Sequence, residues 1–298
     1  MKKYGYFLSA ILLACDFLLA QPNLFKEANI TLLDNNSLYY NFTTLNMKAQ
    51  KSGQIYKIYL AVPKKSSDYY NVVYMLDGNA VLDVLDENLL SKAGEANLLI
   101  VMIGYETKAR FDTVARAYDY TPPISNNSME DVPGSGRKAG GAELFLEFIE
   151  KELKPEIAKT TKADLKNQTL WGHSYGGLFV LYTLFTQPNS FQKYASISPS
   201  LWWHNGYILN KEKEFNALTL KYPANLIVMA GEDEKKQTNM QHSQRAKMQN
   251  SISRSAIKDM VLRLDKKANL SAKQIEFENL SHGETIKASL EPLFGIVR

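Results

Sequence analysis

The segment Gly172-His173-Ser174-Tyr175-Gly176 places a serine between two glycines, each two residues away. A strand-like apolar run, 168–171, precedes it, and a helix-like apolar run, 175–185, follows it. A sharp turn from strand to helix strains the serine backbone and lifts its hydroxyl above a sheet, where it can attack an acyl carbon. The pattern therefore predicts Ser174 as a nucleophile. The alternative is a glycine-rich turn without chemistry.

A serine nucleophile needs a general base, and the chain has four histidines. His173 lies inside the turn, His242 in a polar stretch, and His204 directly after two tryptophans. His282 stands in a Ser-His-Gly turn after the last predicted strand, in the nucleophile–acid–base order of α/β-hydrolases. We therefore predict His282 as the base.

An acidic stretch is the source of a third catalytic group. Glu232, Asp233 and Glu234 follow the predicted strand 226–229, where a carboxylate that orients the base would be delivered. Glu232 and Glu234 are the leading candidates. A serine–histidine dyad without a carboxylate is the alternative.

An oxyanion hole requires backbone N–H donors that point at the oxygen of the reacting carbonyl. One is expected from Tyr175, the residue after the nucleophile. The other is expected from the loop Asp77-Gly78-Asn79 after the predicted strand 71–76, with Asn79 preferred to Gly78.

These residues need a scaffold, and the alternation of apolar runs with helical patterns predicts one. Strands are predicted at 30–45, 54–62, 71–76, 98–103, 168–171, 194–197, 226–229 and 274–277, and helices at 142–158, 175–185 and 239–264. The pattern predicts an α/β-hydrolase fold, with a mostly parallel central sheet, helices on both faces and one domain spanning 21–298. The long irregular segment 105–141 is expected beside the active site.

The first 20 residues resemble a secretory signal peptide, because Lys2 and Lys3 precede a short apolar stretch. We expect a periplasmic protein. In one interpretation cleavage after Ala20 releases a soluble domain; in the other, Cys15, the only cysteine, is lipidated to give a lipoprotein. No other apolar run is long enough for a membrane span.

The charge balance excludes nucleic acid as an expected partner. The formal net charge is +4, and without residues 1–20 it is +3, from 33 basic and 30 acidic residues. This excess is small and the basic residues are scattered. The spacing of His, Asp and Glu predicts no metal site, and no cofactor is expected. The sequence does not predict the oligomeric state.

Several segments resemble the putative-esterase (esterase D) family. They are Tyr74-Met75-Leu76-Asp77-Gly78-Asn79-Ala80, Arg116-Ala117-Tyr118-Asp119-Tyr120-Thr121-Pro122, the nucleophile segment Trp171–Leu181, and Ser196-Ile197-Ser198-Pro199-Ser200-Leu201-Trp202-Trp203. Within that family they are most similar to periplasmic esterases that hydrolyse the trilactone of enterobactin and related catecholate siderophores. The resemblance implies metal-free, serine-dependent ester hydrolysis, and some periplasmic members use a dyad.

The residue types fit a bulky, aromatic, anionic substrate. Arg116 offers a planar fork to paired oxygens, and Tyr118, Tyr120, Trp202 and Trp203 offer faces on which catechol rings can stack. We expect Arg116, Tyr118, Trp202 and Trp203 to bind substrate. The alternatives are a carboxylesterase or acyltransferase acting on small acyl or sugar esters, and a non-catalytic binder of the ferric catecholate.

Overall fold

An eight-stranded sheet forms the centre of the protein. The computed structural model describes residues 26–124, 129–236, 244–253 and 255–297; the expected signal peptide with Cys15, and His242, lie outside them. The strands are β1 (Tyr40–Lys48), β2 (Ile55–Pro63), β3 (Tyr70–Leu76), β4 (Leu98–Tyr105), β5 (Ala163–His173), β6 (Lys193–Ile197), β7 (Ala224–Gly231) and β8 (Leu270–Phe277).

The strand order is β1-β2-β4-β3-β5-β6-β7-β8. β1 pairs antiparallel with β2, and β2 antiparallel with β4, whereas all the other neighbours are parallel. The expected α/β-hydrolase fold with a mostly parallel sheet is confirmed. Because parallel strands end at the same edge, the loops after β3, β5, β6, β7 and β8 meet there.

The helices cover both faces of this sheet. They are α1 (Gly78–Val84), α2 (Glu87–Glu95), α3 (Ala115–Asp119), α4 (Ala142–Phe148), α5 (Lys154–Thr160), α6 (Tyr175–Thr186), α7 (Tyr207–Asn216), α8 (Gln244–Asn250), α9 (Ala256–Leu264), α10 (Thr285–Ala288) and α11 (Leu290–Ile296). A π-helical turn, Ile149–Leu153, joins α4 to α5, so the predicted helix 142–158 is continuous. No helix among the described residues is both long and apolar enough to cross a membrane.

Burial on both faces explains the near-continuous apolar strands. On β3, Val72, Tyr74 and Leu76 belong to one core cluster, and Val73 and Met75 to the other. The same alternation holds along β4, whose eight residues are all buried. Two cores therefore fix the sheet from above and below and set the positions of the strand ends.

Two predicted elements were too long. The segment 30–45 begins as a 3-10 turn, Thr31–Leu33, because the side chain of Asn29 accepts hydrogen bonds from the N–H and hydroxyl of Thr31; the strand starts only at Tyr40. The predicted helix 239–264 is interrupted between α8 and α9. There the hydroxyl of Ser251 donates to the carbonyl of Met248 and that of Ser253 accepts from the N–H of Ser255, and such bonds compete with helical ones.

Candidate active site

The turn between β5 and α6 holds Ser174 in a strained conformation, with φ of 60° and ψ of −111°. A side chain at position 172 is excluded, because a Cβ there would lie 2.4 Å from the carbonyl oxygen of Gly176. The N–H of Ser174 donates to the carbonyl of Ile197 at the end of β6, over 2.8 Å. The serine is therefore fixed at the carboxyl edge of the sheet, as the sequence predicts for a nucleophile.

His282 lies in the loop after β8, and its Nδ1 is 3.0 Å from Oε2 of Glu234. Glu234 lies in a 3-10 turn, Glu232–Lys236, directly after β7. The contact leaves the other ring nitrogen, Nε2, for a proton acceptor role. The structure thus brings together the predicted base and one of the two leading acid candidates.

Glu234 is held as a carboxylate by three donors. Its Oε1 accepts from the hydroxyl of Ser198 over 2.6 Å and from the N–H of Gly231 over 2.8 Å, and its Oε2 faces His282. Burial by itself would raise the pKa of Glu234, but His282, Ser198 and Gly231 together hold it below its ordinary value. Glu232, by contrast, is exposed to solvent, and the carboxylate that contacts His282 is that of Glu234. The N–H of Asp233 donates to the carbonyl of Leu280.

His173, inside the nucleophile turn, supports the loop of the base. Its Nε2 is 2.8 Å from the carbonyl oxygen of His282, and since a carbonyl only accepts, Nε2 must bear the proton. Burial, together with the neighbouring His282 and Arg116, holds the pKa of His173 well below its ordinary value. The two imidazole rings are 4.6 Å apart. The neutral His173, which directly precedes Ser174, therefore links the backbone of His282 to the nucleophile turn.

The predicted oxyanion donors lie at two helix N-termini. Tyr175 is the first residue of α6, and Gly78 and Asn79 begin α1; N–H groups in a first helical turn have no intrahelical acceptor. The Asn79 side chain accepts from the N–H of Tyr105 and donates to the carbonyl of Thr107. A Cβ at Gly78 would lie 2.9 Å from backbone atoms of β4, so only glycine allows this close approach.

Arg116 does not present an open fork to a ligand. Its Nε and Nη2 donate to the two carboxylate oxygens of Asp77 over 2.9 and 2.8 Å, and its residue exposure is only 8%. Asp77 has a left-handed backbone, φ 53°, directly before Gly78 and Asn79. The hydroxyl of Tyr120 accepts the Asp77 N–H. Arg116 therefore holds the loop that carries the candidate oxyanion donors, and the expected contact with catecholate oxygens does not fit its placement.

The aromatic residues expected to bind substrate divide into two groups. Trp203 is fully buried in the core, a placement that does not fit the expected contact with a ligand. The ring of Tyr118 packs against Gly141 at the start of α4. Trp202 is half-buried, with its ring centre 5.9 Å from that of Tyr175. Trp202 is thus the aromatic candidate that borders the nucleophile turn.

The sequence analysis did not predict the cationic residues near Trp202 and Tyr175. The guanidinium carbon of Arg245, on α8, lies 5.0 Å from the centre of the Trp202 ring. Asp131, fully buried, accepts from the Tyr175 hydroxyl over 2.6 Å and from Arg137 over 2.5 Å. Basic and acidic residues are equal in number in the segment 105–141, so its composition did not single out Arg137, and nothing local pointed to Arg245. Neither spacing nor periodicity reveals a neighbour contributed by a distant helix.

Two hydroxyls beside the candidate catalytic groups were also missed. Ser198 contacts Glu234, and the hydroxyl of Ser200 lies 3.2 Å from that of Ser174. The only sequence indication was their position, since the Ser-Pro-Ser run follows the predicted strand 194–197. Within the described residues, no group of three or more His, Cys, Asp or Glu side chains is arranged to hold a metal ion.

Comparison with protein families gives a match to the model described as "Putative esterase" over residues 49–282. The ferri-bacillibactin esterase BesA of Bacillus subtilis is 39% identical over 62% of this chain and 68% of its own length. The apo-salmochelin esterase of Escherichia coli O6:H1 is 35% identical over 67% of this chain. That alignment spans 64% of the relative, slightly less than two thirds of its length.

Among solved structures, the enterobactin and salmochelin hydrolase IroE superposes with a TM-score of 0.70 and 31% sequence identity. The superposition covers 90% of this chain and 98% of that structure. The similarity therefore extends over most of the chain.

Proposed function

Because the chain belongs to the putative-esterase family, we propose that it is a serine esterase that hydrolyses the trilactone ester bonds of catecholate siderophores. The observation on which the proposal rests is the contact of Glu234 with His282 beside the strained Ser174 turn. The matched relatives are named as a ferri-bacillibactin esterase and an apo-salmochelin esterase, and these names support the substrate class.

The first half of the reaction acylates the serine. Ser174 Oγ bonds to the ester carbonyl carbon while its proton passes to Nε2 of His282, and Glu234 stabilises the resulting imidazolium. The oxyanion accepts hydrogen bonds from the N–H groups of Tyr175 and Asn79. When the carbonyl re-forms, the bond to the leaving alkoxide breaks, and that oxygen takes the proton from His282.

The second half reverses these roles with water. His282 accepts a proton from water, whose oxygen bonds to the acyl carbon, and the same oxyanion donors stabilise the second tetrahedral intermediate. Collapse returns the proton to Ser174 Oγ and releases a carboxylic acid. Each cycle consumes one water and cuts one ester bond, so a cyclic trilactone first becomes a linear trimer with two remaining ester bonds, and shorter products appear after further cycles.

The surroundings of Tyr175 fit a catecholate better than a small acyl ester. Trp202 offers an aromatic face, and Arg245 supplies positive charge close to it, whereas the charge of Arg137 is paired with Asp131. Anionic catechol rings are attracted by cations and stack on aromatic faces. We propose Trp202 and Arg245 as substrate-binding residues in place of Trp203 and Arg116.

The test is product identification. Purified residues 21–298 are incubated with apo- and ferric enterobactin and, separately, with p-nitrophenyl butyrate, and products are identified by mass spectrometry. Linear and shorter products from enterobactin, absent with Ser174→Ala, support the proposal. Turnover of only the small ester would support a general esterase, and tight binding of ferric enterobactin without cleavage would support a binder.

We also propose that residues 1–20 direct export to the periplasm, from the basic start and short apolar stretch of that segment. N-terminal sequencing of the protein recovered from a periplasmic extract tests this. A new N-terminus at Gln21 supports the soluble form, a lipidated Cys15 supports the lipoprotein, and an intact Met1 in the cytoplasmic fraction contradicts both.

A further inference from the structure

A single loop after β6 reaches two members of the catalytic group. Ser198, with φ of 45°, donates its hydroxyl to Oε1 of Glu234 over 2.6 Å. Two residues on, the hydroxyl of Ser200 lies 3.2 Å from Oγ of Ser174. The turn at Ser198 and Pro199 thus directs one hydroxyl to the acid and one to the nucleophile.

Ser200 is held firmly in this position. It is 1% exposed, and its backbone N–H donates to the carbonyl of Ser174 over 3.1 Å, while its own carbonyl accepts from the N–H of Trp203. The two serines are therefore joined through both backbone and side chain. Because the hydroxyl of Ser200 is fixed in this way, it stays within hydrogen-bonding distance of Ser174 Oγ as long as the loop does not move during the reaction.

The hydrogen-bonding capacity of Ser174 determines what Ser200 can do. A hydroxyl has one proton to donate and two lone pairs. In the reactive state the proton of Ser174 faces His282 and one lone pair faces the ester carbon, so the second lone pair is free to accept. We propose that Ser200 donates its hydroxyl proton to this lone pair and is a catalytic residue of the esterase.

The effect of this bond follows the charge on Ser174 Oγ. The oxygen becomes partly negative as its proton leaves during acylation, and again as the acyl group leaves it during deacylation. A hydrogen bond to an ionised oxygen is roughly twice as strong as one to a neutral oxygen. Ser200 therefore stabilises both transition states more than the free enzyme, and such an interaction raises kcat rather than lowering KM.

The experiment compares Ser200→Ala and the nearly isosteric Ser200→Cys, whose thiol is a weak donor. Rates are measured with enterobactin and with p-nitrophenyl butyrate, and each is divided by the concentration of active sites from a burst titration, so misfolded protein does not count. Loss of one charge-assisted bond should lower kcat about 10- to 100-fold on both substrates, with little change in KM.

Ser289→Ala is the matched control. Its hydroxyl is equally buried but contacts Trp171, from whose Nε1 it accepts, and not the nucleophile, so this variant should lose stability while keeping kcat per active site. If Ser200→Ala fails to fold, the kcat of Ser200→Cys tests the inference. A kcat within twofold of wild type, a higher kcat, or a loss seen only in KM overturns the inference.

The inference rests on serine-esterase chemistry, but its outcome can be separated from that of the proposed function. If the wild-type protein leaves enterobactin intact yet hydrolyses the small ester, the siderophore proposal fails and the Ser200 result still stands. If Ser174→Ala remains active on both substrates, the proposed mechanism itself fails. A normal Ser174→Ala loss with an unaffected Ser200→Ala removes only the role of Ser200.

Discussion

Replacing Arg116 by alanine separates a residue that holds the oxyanion loop from one that contacts substrate. In the structure its guanidinium pairs in a two-bond contact with Asp77, and only 10% of the Arg116 side chain and 3% of the Asp77 side chain are exposed. Burial would lower the pKa of Arg116, but Asp77 more than offsets this and raises it. The rings of Phe111, Tyr120 and Tyr175 surround the same cation at 5.2, 5.5 and 5.4 Å.

The magnitude follows from the charge that the substitution leaves behind. Asp77 would remain as a buried carboxylate without its cation, and breaking one partner of a buried pair costs about 3–5 kcal/mol of unfolding free energy. Relief requires the loop before Gly78 and Asn79 to move, and loss of one oxyanion donor lowers kcat by roughly 10²–10³. Because this donor serves any ester, enterobactin and p-nitrophenyl butyrate should lose activity by similar factors.

Urea unfolding and kcat per titrated active site measure the two effects separately. Arg110→Ala is the matched control, since Arg110 also pairs with a buried aspartate, Asp83, and should lose stability while keeping kcat. Combining Arg116→Met with Asp77→Asn removes both charges and should recover part of the lost stability. A loss confined to enterobactin, with wild-type stability, would refute the reasoning and place the guanidinium against substrate.

The other predictions concern the acid, the substrate and the pH dependence of stability. Glu234→Ala should lower kcat well over tenfold and Glu232→Ala only a few-fold; equal, small effects in steady-state assays would indicate a dyad. Arg245→Gln should lower kcat/KM about tenfold or more for enterobactin and much less for a neutral ester, whereas Lys247→Gln on the same helix should affect neither; equal losses on both esters would contradict substrate contact. Burial raises the pKa of Asp119 to about 7, although hydrogen bonds from the Tyr105 and Tyr56 hydroxyls offset part of this increase. In the unfolded chain an aspartate has a pKa of about 4. The folded protein then binds the extra proton, so its stability falls as pH rises from about 4 to 7. Asp119→Asn should therefore be more stable than wild type at pH 8 and similar at pH 4 in urea unfolding; a variant that is less stable at both values would show that the carboxyl is ionised in the fold.

The site is assembled at one edge of the sheet by short segments that are far apart in the chain. Asp77 follows β3, Ser174 follows β5, Ser198 follows β6, Glu234 follows β7 and His282 follows β8. Each segment begins where a buried strand ends, so the two cores determine where each functional group starts. Contacts such as His173 with the His282 carbonyl then join neighbouring loops.

Arg116 shows why a side chain's role is hard to infer from its neighbours in sequence. An arginine between tyrosines has the right types for binding a catecholate, and the same types suit a buried ion pair enclosed by aromatic rings. The difference lies in Asp77, which is 39 residues away. Only a fold that brings β3 and α3 together reveals which of the two applies.

Local patterns in the sequence were sufficient for the fold class, for the strained turn at Ser174 and for His282 as the candidate base. Backbone sterics, burial and chain order act over a few residues or along one strand, so short stretches of sequence are enough to indicate them. The choice of Glu234 over the adjacent Glu232, the engagement of Arg116 by Asp77, the burial of Trp203 and the approach of Ser200 and Arg245 were decided only by tertiary structure. Each depends on the direction of a side chain relative to a partner from another strand or helix, and contacts between distant segments form only when the packed sheet fixes both partners in space.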